Sequence, residues 1–268
     1  MQSKRWFYVG LAILLLLVAA ASFAPFITAY DPARQNLEKD LLFHSSEHPL
    51  GTDKLGRDIL SRTLYGGRIS LFVGLTTVAI SVSLGLLIGS LSGYFGGWTD
   101  QALMRAIDVL LAFPGILLAI AITAVLGPGL GHVILALCLI GWTSYARLVR
   151  GEILSLRETE FVHAARALGC NAPRVIFVHL LPNLLPPLLI QATFGMAAAI
   201  IGEGSLSFLG LGVEPPTPSW GSMLNEGRQF LLVAPHLTTY PGLAIMITVL
   251  GLNLIGDALQ DRLGAKGR

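Results

Sequence analysis

The most constraining feature of this sequence is a set of six apolar stretches, each long enough to cross a membrane as a helix. A hydrocarbon core about 30 Å thick requires roughly 20 apolar residues of helix. The stretches are Trp6–Ala29, Ile69–Tyr94, Leu103–Leu126, His132–Val149, Leu184–Leu206 and Leu237–Leu259. The chain is therefore predicted to be an all-α, polytopic membrane helix bundle with about six transmembrane helices.

The amino-acid composition indicates the same class. Of the 268 residues, 53% are hydrophobic and only 13% are charged, whereas average soluble domains carry about 25% charged residues. So little charge cannot cover the surface of a water-soluble globule, but a lipid-facing surface does not need it. The net charge of +2 is too small to indicate a nucleic-acid partner, and two cysteines do not make a disulfide framework.

The distribution of Lys and Arg predicts the orientation, because cytosolic segments carry an excess of both. With the N-terminus inside, eleven of the 18 lie on the cytosolic side and seven on the outer side. Six of these seven lie in one outer loop, Tyr30–Arg68, which also carries six acidic residues. Both termini are therefore predicted to face the cytosol.

The first apolar stretch has two interpretations. Lys4 and Arg5 form a basic start, and the small residues of Ala19–Ala24 would suit cleavage of a signal peptide. However, the apolar region continues through Phe26 and Ile27, which makes it long enough to span the bilayer. We expect a retained helix.

The second stretch has one face made of small residues. Thr77, Ser81, Gly85, Gly89 and Gly93 recur every four residues. Such a face lets two helix backbones approach closely in lipid, where no hydrophobic force draws helices together. The pattern predicts a helix–helix contact and does not bear on substrate.

The two longer outer loops are rich in turn residues. The loop at about Ser207–His236 contains Pro215–Gly221, whose prolines predict a stiff, non-helical surface that another protein could dock on. In the loop Tyr30–Arg68, His44 and His48 lie four residues apart, but the segment between them does not have a helical pattern. Solvated loop histidines are therefore favoured over a metal pair.

The cytosolic loop Arg150–Asn183 is predicted to begin with a short helix, Glu158–Leu168. Gly169 lies where the end of a helix needs a residue with positive φ. One side of this helix is expected to present Phe161, Ala165 and Leu168.

A second short helix is expected directly after this glycine. Asn171 can cap it, with Pro173 in its first turn. Pro182 disfavours a helical conformation in the residue before it, so this helix is predicted to end near Leu181. Two helical pieces that meet at a glycine would form a rigid elbow, which could transmit motion from a soluble partner into the bilayer.

Several kinds of chemistry are missing from the sequence. No G-x-x-x-x-G-K-[ST] phosphate loop occurs, so the chain lacks a recognisable ATP site, and the H-E-x-x-H and G-x-S-x-G motifs are also absent. Ionisable residues within the stretches lie near the ends, where a structural role is favoured. Arg105 and Asp108 are predicted to pair along their helix, and the others are Glu203 and Asp257.

Two segments of the elbow, Phe161–Gly169 (FVHAARALG) and Ile176–Asn183 (IFVHLLPN), resemble the EAA loop of ABC importer permeases. The similarity is greatest to the peptide and nickel branch of that family. It covers nearly the whole chain, through His48–Arg57, Ser61-Arg62, Phe113-Pro114, Leu206–Gly212, Pro215–Leu224 and Gly256–Leu259.

The resemblance implies that the elbow couples the chain to an ATPase. His163 stands where the general motif has Glu, so the charge that names the motif is missing, while the other motif residues keep their spacing. The residues implied in coupling are Phe161, His163, Ala164, Ala165, Leu168, Gly169, His179 and Pro182.

The resemblance also implies a type I importer permease architecture in the bacterial inner membrane. Residues 1–68 would form an N-terminal helix with its outer loop, and residues 69–268 the transmembrane domain, with the coupling loop at about 150–183. In this family, two permease subunits form the pathway, two ATP-binding subunits dock on the loops, and an extracytoplasmic binding protein delivers the ligand. No catalytic residue, cofactor or metal is expected in this chain, since ATP and Mg²⁺ belong to the ATPase subunits.

The expected substrate is a di- or oligopeptide, with nickel, a nickel chelate or another small solute as alternatives. An ion-coupled secondary transporter would need ionisable groups at the midplane and often inverted repeats, and neither is evident. An intramembrane enzyme or assembly factor is disfavoured by the missing nucleophile motifs.

Overall fold

The structure, a computed structural model, describes residues 2–264 and consists of helices joined by loops, with no β-strand in that range. Among the described residues, five helices are long and apolar enough to cross a membrane, and a sixth crossing is present if one bent pair counts as a single span. This confirms the predicted helix bundle. In chain order the helices are α1 (Gln2–Ser22), α2 (Ala24–Ile27), α3 (Ile59–Phe95), α4 (Gly97–Leu111), α5 (Gly115–Leu126), α6 (Leu130–Leu156), α7 (Glu160–Ala167), α8 (Ala172–Arg174), α9 (Leu181–Phe208), α10 (Trp220–Gly227) and α11 (His236–Gly264).

The third predicted span is not one helix. The expected stretch Leu103–Leu126 is broken between Leu111 and Gly115, and α4 and α5 meet there at an angle of 81°. Pro114 is the reason, because a proline disfavours helical conformation in the residue before it. The 12 residues of α5 alone reach only about 18 Å, less than the thickness of a bilayer core.

Two other helices extend at one end by seven or more residues beyond their apolar stretches. α3 begins at Ile59 instead of Ile69, because Asp58 caps it by accepting a hydrogen bond from the backbone N–H of Ser61 at 2.7 Å. The last part of the loop predicted as Tyr30–Arg68 is therefore helical. α6 likewise continues to Leu156 and takes up the beginning of the predicted cytosolic loop.

The small-residue face of α3 packs against α6, as predicted. A Cβ atom placed on Gly89 would lie 2.5 Å from the carbonyl oxygen of Ala146 and 2.7 Å from Cβ of Val149. One placed on Gly93 would lie 3.0 Å from Cβ of Ile153. The two backbones can approach this closely only because these positions have no side chain.

α1 packs along α11. A Cβ atom on Gly10 would lie 2.7 Å from the carbonyl oxygen of Gly251. The guanidinium of Arg68 covers the C-terminus of α1, since its Nε donates to the carbonyl of Ala21 at 2.6 Å and its Nη2 to that of Ser22 at 2.7 Å. These bonds satisfy carbonyl groups that a helix end leaves free.

The bundle has two distinct ends. One, called here the α10 end, carries the loop 28–58 and α10. The other, called the α7 end, carries α7 and α8, together with the start of α1 and the end of α11. Arg262 of α11 lies over the ring of Phe7 of α1, 4.7 Å from its centroid, so the two chain ends lie on the same side of the bundle.

Candidate functional site: the elbow and the central cavity

α7 ends in a glycine turn, as the sequence predicted, although it is slightly shorter than expected. The N–H of Gly169 donates to the carbonyl of Arg166 at 2.9 Å, and the N–H of Cys170 donates to that of Ala165 at 3.1 Å. Together these bonds form a Schellman motif, in which the residue after the helix has a positive φ. Gly169 has a φ of +82°, which confirms the predicted conformation.

The second half of the elbow begins as predicted and ends differently. The side-chain oxygen of Asn171 caps α8 by accepting from the N–H of Arg174 at 3.1 Å. The predicted helix end near Leu181 is wrong, because α8 runs through a π-helical segment, Val175–Leu180, straight into α9. Pro182 then falls in the first turn of α9, where its missing N–H is not required.

Val162 anchors the elbow to the bundle. It is fully buried and packs in one apolar cluster with Val149 and Ile153 of α6 and with Val175 of the π-helical segment. The elbow therefore has its own core contacts and is not a loose connection.

The face of α7 predicted from the sequence is only partly correct. Ala165 is buried as part of that face, but Phe161 is 42% exposed and Leu168 is 86% exposed. The apolar pattern alone could not separate the two sides of α7, since apolar residues occur on both. Phe161 and Leu168 instead share an outward side with Ala164, which is also exposed, and these three residues are called here the exposed face of α7.

The remaining predicted coupling residues lie around this face. His163 is exposed, and its Nε2 lies 3.9 Å from Oε2 of Glu158. His179 is half-buried in the π-helical segment, and its carbonyl accepts from the side-chain nitrogen of Asn183 at 2.7 Å. Pro182 is exposed beside it. The structure thus brings the two motif segments together at one end of the bundle.

Two ion pairs hold α4 against α6 near the elbow. Nη2 of Arg147 lies 2.7 Å from Oδ1 of Asp108, and Nη2 of Arg150 lies 2.6 Å from Oδ2 of Asp100. The predicted pair between Arg105 and Asp108 is wrong, because Asp108 turns to the neighbouring helix. These contacts fix the position of α4 next to the bend at Pro114.

Glu203 is a buried carboxyl group within the bundle. It accepts hydrogen bonds from the hydroxyl groups of Ser70, at 2.8 Å, and Ser207, at 2.7 Å, and so joins α3 to α9. Asp257, the other acidic candidate, is exposed. The geometry of Glu203 is that of a satisfied polar group, in agreement with the structural role that the sequence favoured.

The α10 end is cross-linked by buried charges. Nε of Arg57 lies 2.7 Å from Oδ2 of Asp53, and Nη2 of Arg62 lies 3.0 Å from Oε2 of Glu226, which Arg57 also contacts. Glu226 belongs to α10, so the two outer loops form one unit. The segment predicted as wholly non-helical in fact enters α10 at Trp220, which is buried and donates from Nε1 to the carbonyl of Thr63 at 2.9 Å.

The two loop histidines have different environments. His44 is exposed as predicted, but His48 is buried, with Nδ1 3.0 Å from Oδ1 of Asp58, so its assignment as a solvated residue is wrong. No cluster of three metal-binding side chains occurs among residues 2–264.

On the surface of the same loop, a hydrogen bond from Lys39 lowers the pKa of Glu47 and the same bond raises the pKa of Lys39.

A central cavity, which could not be predicted from residue patterns, lies between α3, α5, α6 and α9. Its volume is about 640 Å³. Tyr145 lines it and also belongs to the cluster that anchors Val162, so the cavity and the elbow share a wall. The polar side chains that line it are Thr77, Ser81, Ser144, Tyr145, Gln191 and Ser205.

Two family models match the sequence. One is described as "Binding-protein-dependent transport system inner membrane component" and matches residues 85–268. The other is described as "N-terminal TM domain of oligopeptide transport permease C" and matches residues 3–45.

Curated relatives match over nearly the full chain. The dipeptide transport system permease protein DppC of Alkalihalophilus pseudofirmus is 46% identical over 99% of this chain and 88% of the relative. The glutathione transport system permease protein GsiD of Pectobacterium atrosepticum is 45% identical over 94% and 84%. The di/tripeptide transport system permease protein DppC of Pseudomonas aeruginosa is 42% identical over 96% and 87%.

A solved structure of the MetNI methionine ABC transporter in an inward-facing conformation is similar in fold. The TM-score is 0.58 at 21% identity, and the similarity covers 73% of this chain and 93% of that chain. At this identity the comparison shows the fold.

Proposed function

Because this chain belongs to the family of binding-protein-dependent transport system inner membrane components, we propose that it forms half of the translocation pathway of an ABC importer for di- or oligopeptides. Its helices are arranged as in a type I importer permease, which is the architecture that the sequence resemblance predicted. Three relatives that match it over most of their length are named for dipeptides, glutathione or di- and tripeptides, which favours a peptide over nickel as the substrate. The second half of the pathway would come from a homologous permease subunit.

The exposed face of α7 is the surface that we assign to the ATP-binding subunits. Phe161, Ala164 and Leu168 present apolar side chains outward, while Val162 and Ala165 hold the same helix to the bundle from the other side. Exposed apolar groups on a firmly anchored element are typical of a docking site. This pairing of an outward apolar face with a buried anchor is the observation that carries the proposal.

The connection from the elbow into the membrane is suited to carry motion. α8, the π-helical segment and α9 follow one another without a loop, so a displacement of the elbow would not be absorbed between them. Val162 and Val175 pack in the same cluster as Tyr145, which lines the central cavity. Closure of two ATPase subunits around ATP and Mg²⁺ would therefore move a wall of the cavity, and the chain itself would need no cofactor.

The α10 end is the surface that we assign to the extracytoplasmic binding protein. Its two loops are joined by the ion pairs of Arg57 and Arg62 with Glu226, so they would present a firm platform. This assignment places the chain in a bacterial inner membrane with the α7 end and both termini in the cytosol.

The docking face can be tested with two matched substitutions. We expect Leu168→Asp to reduce co-purification of the ATP-binding subunits and peptide uptake by at least about tenfold, a loss of some 1.4 kcal/mol of binding free energy or more. Leu232→Asp, which changes a fully exposed leucine at the opposite end, should leave ATPase binding unchanged. Deletion of Glu158–Gly169 should release the ATPases while the protein stays in the membrane. Normal co-purification and uptake in both Leu168→Asp and the deletion would contradict the proposal.

A further inference from the structure

The central cavity has a mostly apolar wall that carries six polar side chains and no charged one among the described residues that line it. Four of its six polar side chains are hydroxyl groups of Ser or Thr, and the others are the phenol of Tyr145 and the amide of Gln191. Lipid chains need no such groups, and a packed helix interface would not leave an opening of this size. Its volume of about 640 Å³ lies within the range of about 300–1,000 Å³ found for small-molecule sites.

Two of these hydroxyl groups are buried without a hydrogen-bond partner. Thr77 is 4% exposed and Ser81 is 1% exposed, and neither side-chain oxygen bonds any group within residues 2–264. Cys138, their neighbour on α6, lies close to both hydroxyl groups, but a thiol is a weak hydrogen-bond partner, and it donates to the backbone carbonyl of Thr77 at 3.8 Å. Buried polar groups in proteins are nearly always hydrogen-bonded, so these two hydroxyl groups on the cavity wall are free to bond a ligand.

Glycines on the facing helices make room for the polar groups. A Cβ atom on Gly141 of α6 would lie 2.8 Å from Oγ of Ser81, and one on Gly195 of α9 would overlap the hydroxyl of Tyr145. That hydroxyl lies 3.4 Å from the carbonyl of Gln191, a weak contact that another acceptor could replace. Because Gly141 and Gly195 have no side chain, they leave room for these polar groups on the cavity wall.

We propose that this cavity holds the backbone of a small peptide in transit, through hydrogen bonds from Thr77, Ser81, Ser144 and Gln191. Hydroxyl and amide groups both donate and accept, and a peptide group offers one donor and one acceptor to match them. A wall without charge does not select among peptide side chains. It also holds the ligand weakly enough to release it, as a path for varied peptides requires. The inference rests on the proposed function and names its ligand-contacting residues.

Thiol labelling tests the site directly in the intact permease–ATPase complex. Ser144→Cys and, as a control, Leu232→Cys are introduced together with Cys138→Ala and Cys170→Ala, and the detergent-solubilised complex is reacted with a charged methanethiosulfonate reagent without the binding protein. Glycylglycine at about twice its dissociation constant should slow labelling at position 144 about threefold, since the free fraction falls as one over one plus the ligand ratio. Labelling at position 232 should not change.

A second probe addresses the chemistry of recognition. The depsipeptide isostere of glycylglycine, in which an ester oxygen replaces the amide N–H, should protect position 144 less than the peptide does. Equal protection by both, no protection by the peptide, or a residue 144 that never reacts because another subunit or lipid covers it would each overturn the inference.

A bulky substitution separates this inference from the proposed function. Ser144→Trp should fill the cavity and abolish peptide uptake, while the ATP-binding subunits still co-purify and hydrolyse ATP. Leu139→Trp, on the same helix but outside the cavity, should transport normally. Normal uptake by Ser144→Trp would overturn the cavity assignment and leave the coupling proposal untouched. Normal ATPase binding and uptake after deletion of Glu158–Gly169 would instead contradict the coupling proposal.

Discussion

At the scale of single residues, Gly169 has the most demanding position in the elbow. Its φ of +82° lies in the left-handed region, which costs a residue with a side chain about 1–2 kcal/mol. The space around it is open, since no atom lies within 4 Å of where a Cβ would be. Any effect of substitution must therefore come from the backbone conformation and not from a clash.

We expect Gly169→Leu to impair coupling, because a branched side chain resists the positive φ that closes the turn. Peptide uptake by the reconstituted importer should fall severalfold, while Gly169→Asn, which tolerates this conformation better, should fall less. Gly151→Leu is the matched control, since Gly151 also has open space around it but lies within α6 in an ordinary helical conformation. Uptake by Gly169→Leu equal to that of Gly151→Leu would contradict the prediction.

Local residue chemistry in the elbow could be predicted from the sequence, whereas the tertiary contacts of α7 and of the outer loop could not. The turn at Gly169 and the cap at Asn171 depend only on neighbouring residues, and both predictions were confirmed. The inward face of α7 depends on where α6 lies, so the pattern placed Phe161 beside Ala165 and missed Val162. The buried pair of His48 and Asp58 requires a loop conformation that residue spacing does not reveal.

At the scale of helices, the contact of α3 with α6 sets how closely the bundle packs. We expect Gly89→Leu to destabilise the purified protein by about 1–3 kcal/mol or more, because the new side chain meets the backbone of Ala146 and cannot be accommodated without separating the helices. The measurement is the midpoint of thermal unfolding in detergent. Gly131→Leu, at an open position of α6, should leave the midpoint unchanged, and equal midpoints for the two variants would contradict the prediction.

Prolines show why helix number was easier to predict than helix shape. The number of spans follows from apolar length, and six crossings are present if the bent pair counts as one. Pro114 interrupts its span with an 81° bend, whereas Pro182, in a similar apolar setting, follows a π-helical segment and starts α9 without a break. A proline has no backbone N–H, so its effect depends on whether its position in the helix needs that donor. The first turn of α9 does not need it, and the π-helical segment before that turn cannot be predicted from a sequence pattern.

At the scale of the whole molecule, buried ion pairs account for two of the six basic residues in the predicted outer loop Tyr30–Arg68. Counted alone, its Lys and Arg oppose the predicted orientation. In the structure, Arg57 and Arg62 pair with Asp53 and Glu226 and are almost fully buried. The two buried guanidinium groups thus help to join the loop to α10 in one folded platform, which a count of Lys and Arg in the sequence does not reveal.

The two ends of the molecule should therefore lie on opposite sides of the membrane, and two leucines allow a direct test. Leu168, 86% exposed at the α7 end, and Leu232, fully exposed at the α10 end, are each replaced by Cys in a Cys138→Ala and Cys170→Ala background. The chain is expressed without its partner subunits, so that no ATPase covers α7. A membrane-impermeant maleimide should label Leu232→Cys in spheroplasts, and Leu168→Cys only after lysis. The reagent cannot cross the membrane, so it reaches a cysteine only from the side that the cysteine faces. Labelling of Leu168→Cys in intact spheroplasts would reverse the orientation, and with it the assignment of the exposed face of α7 to an ATP-driven partner.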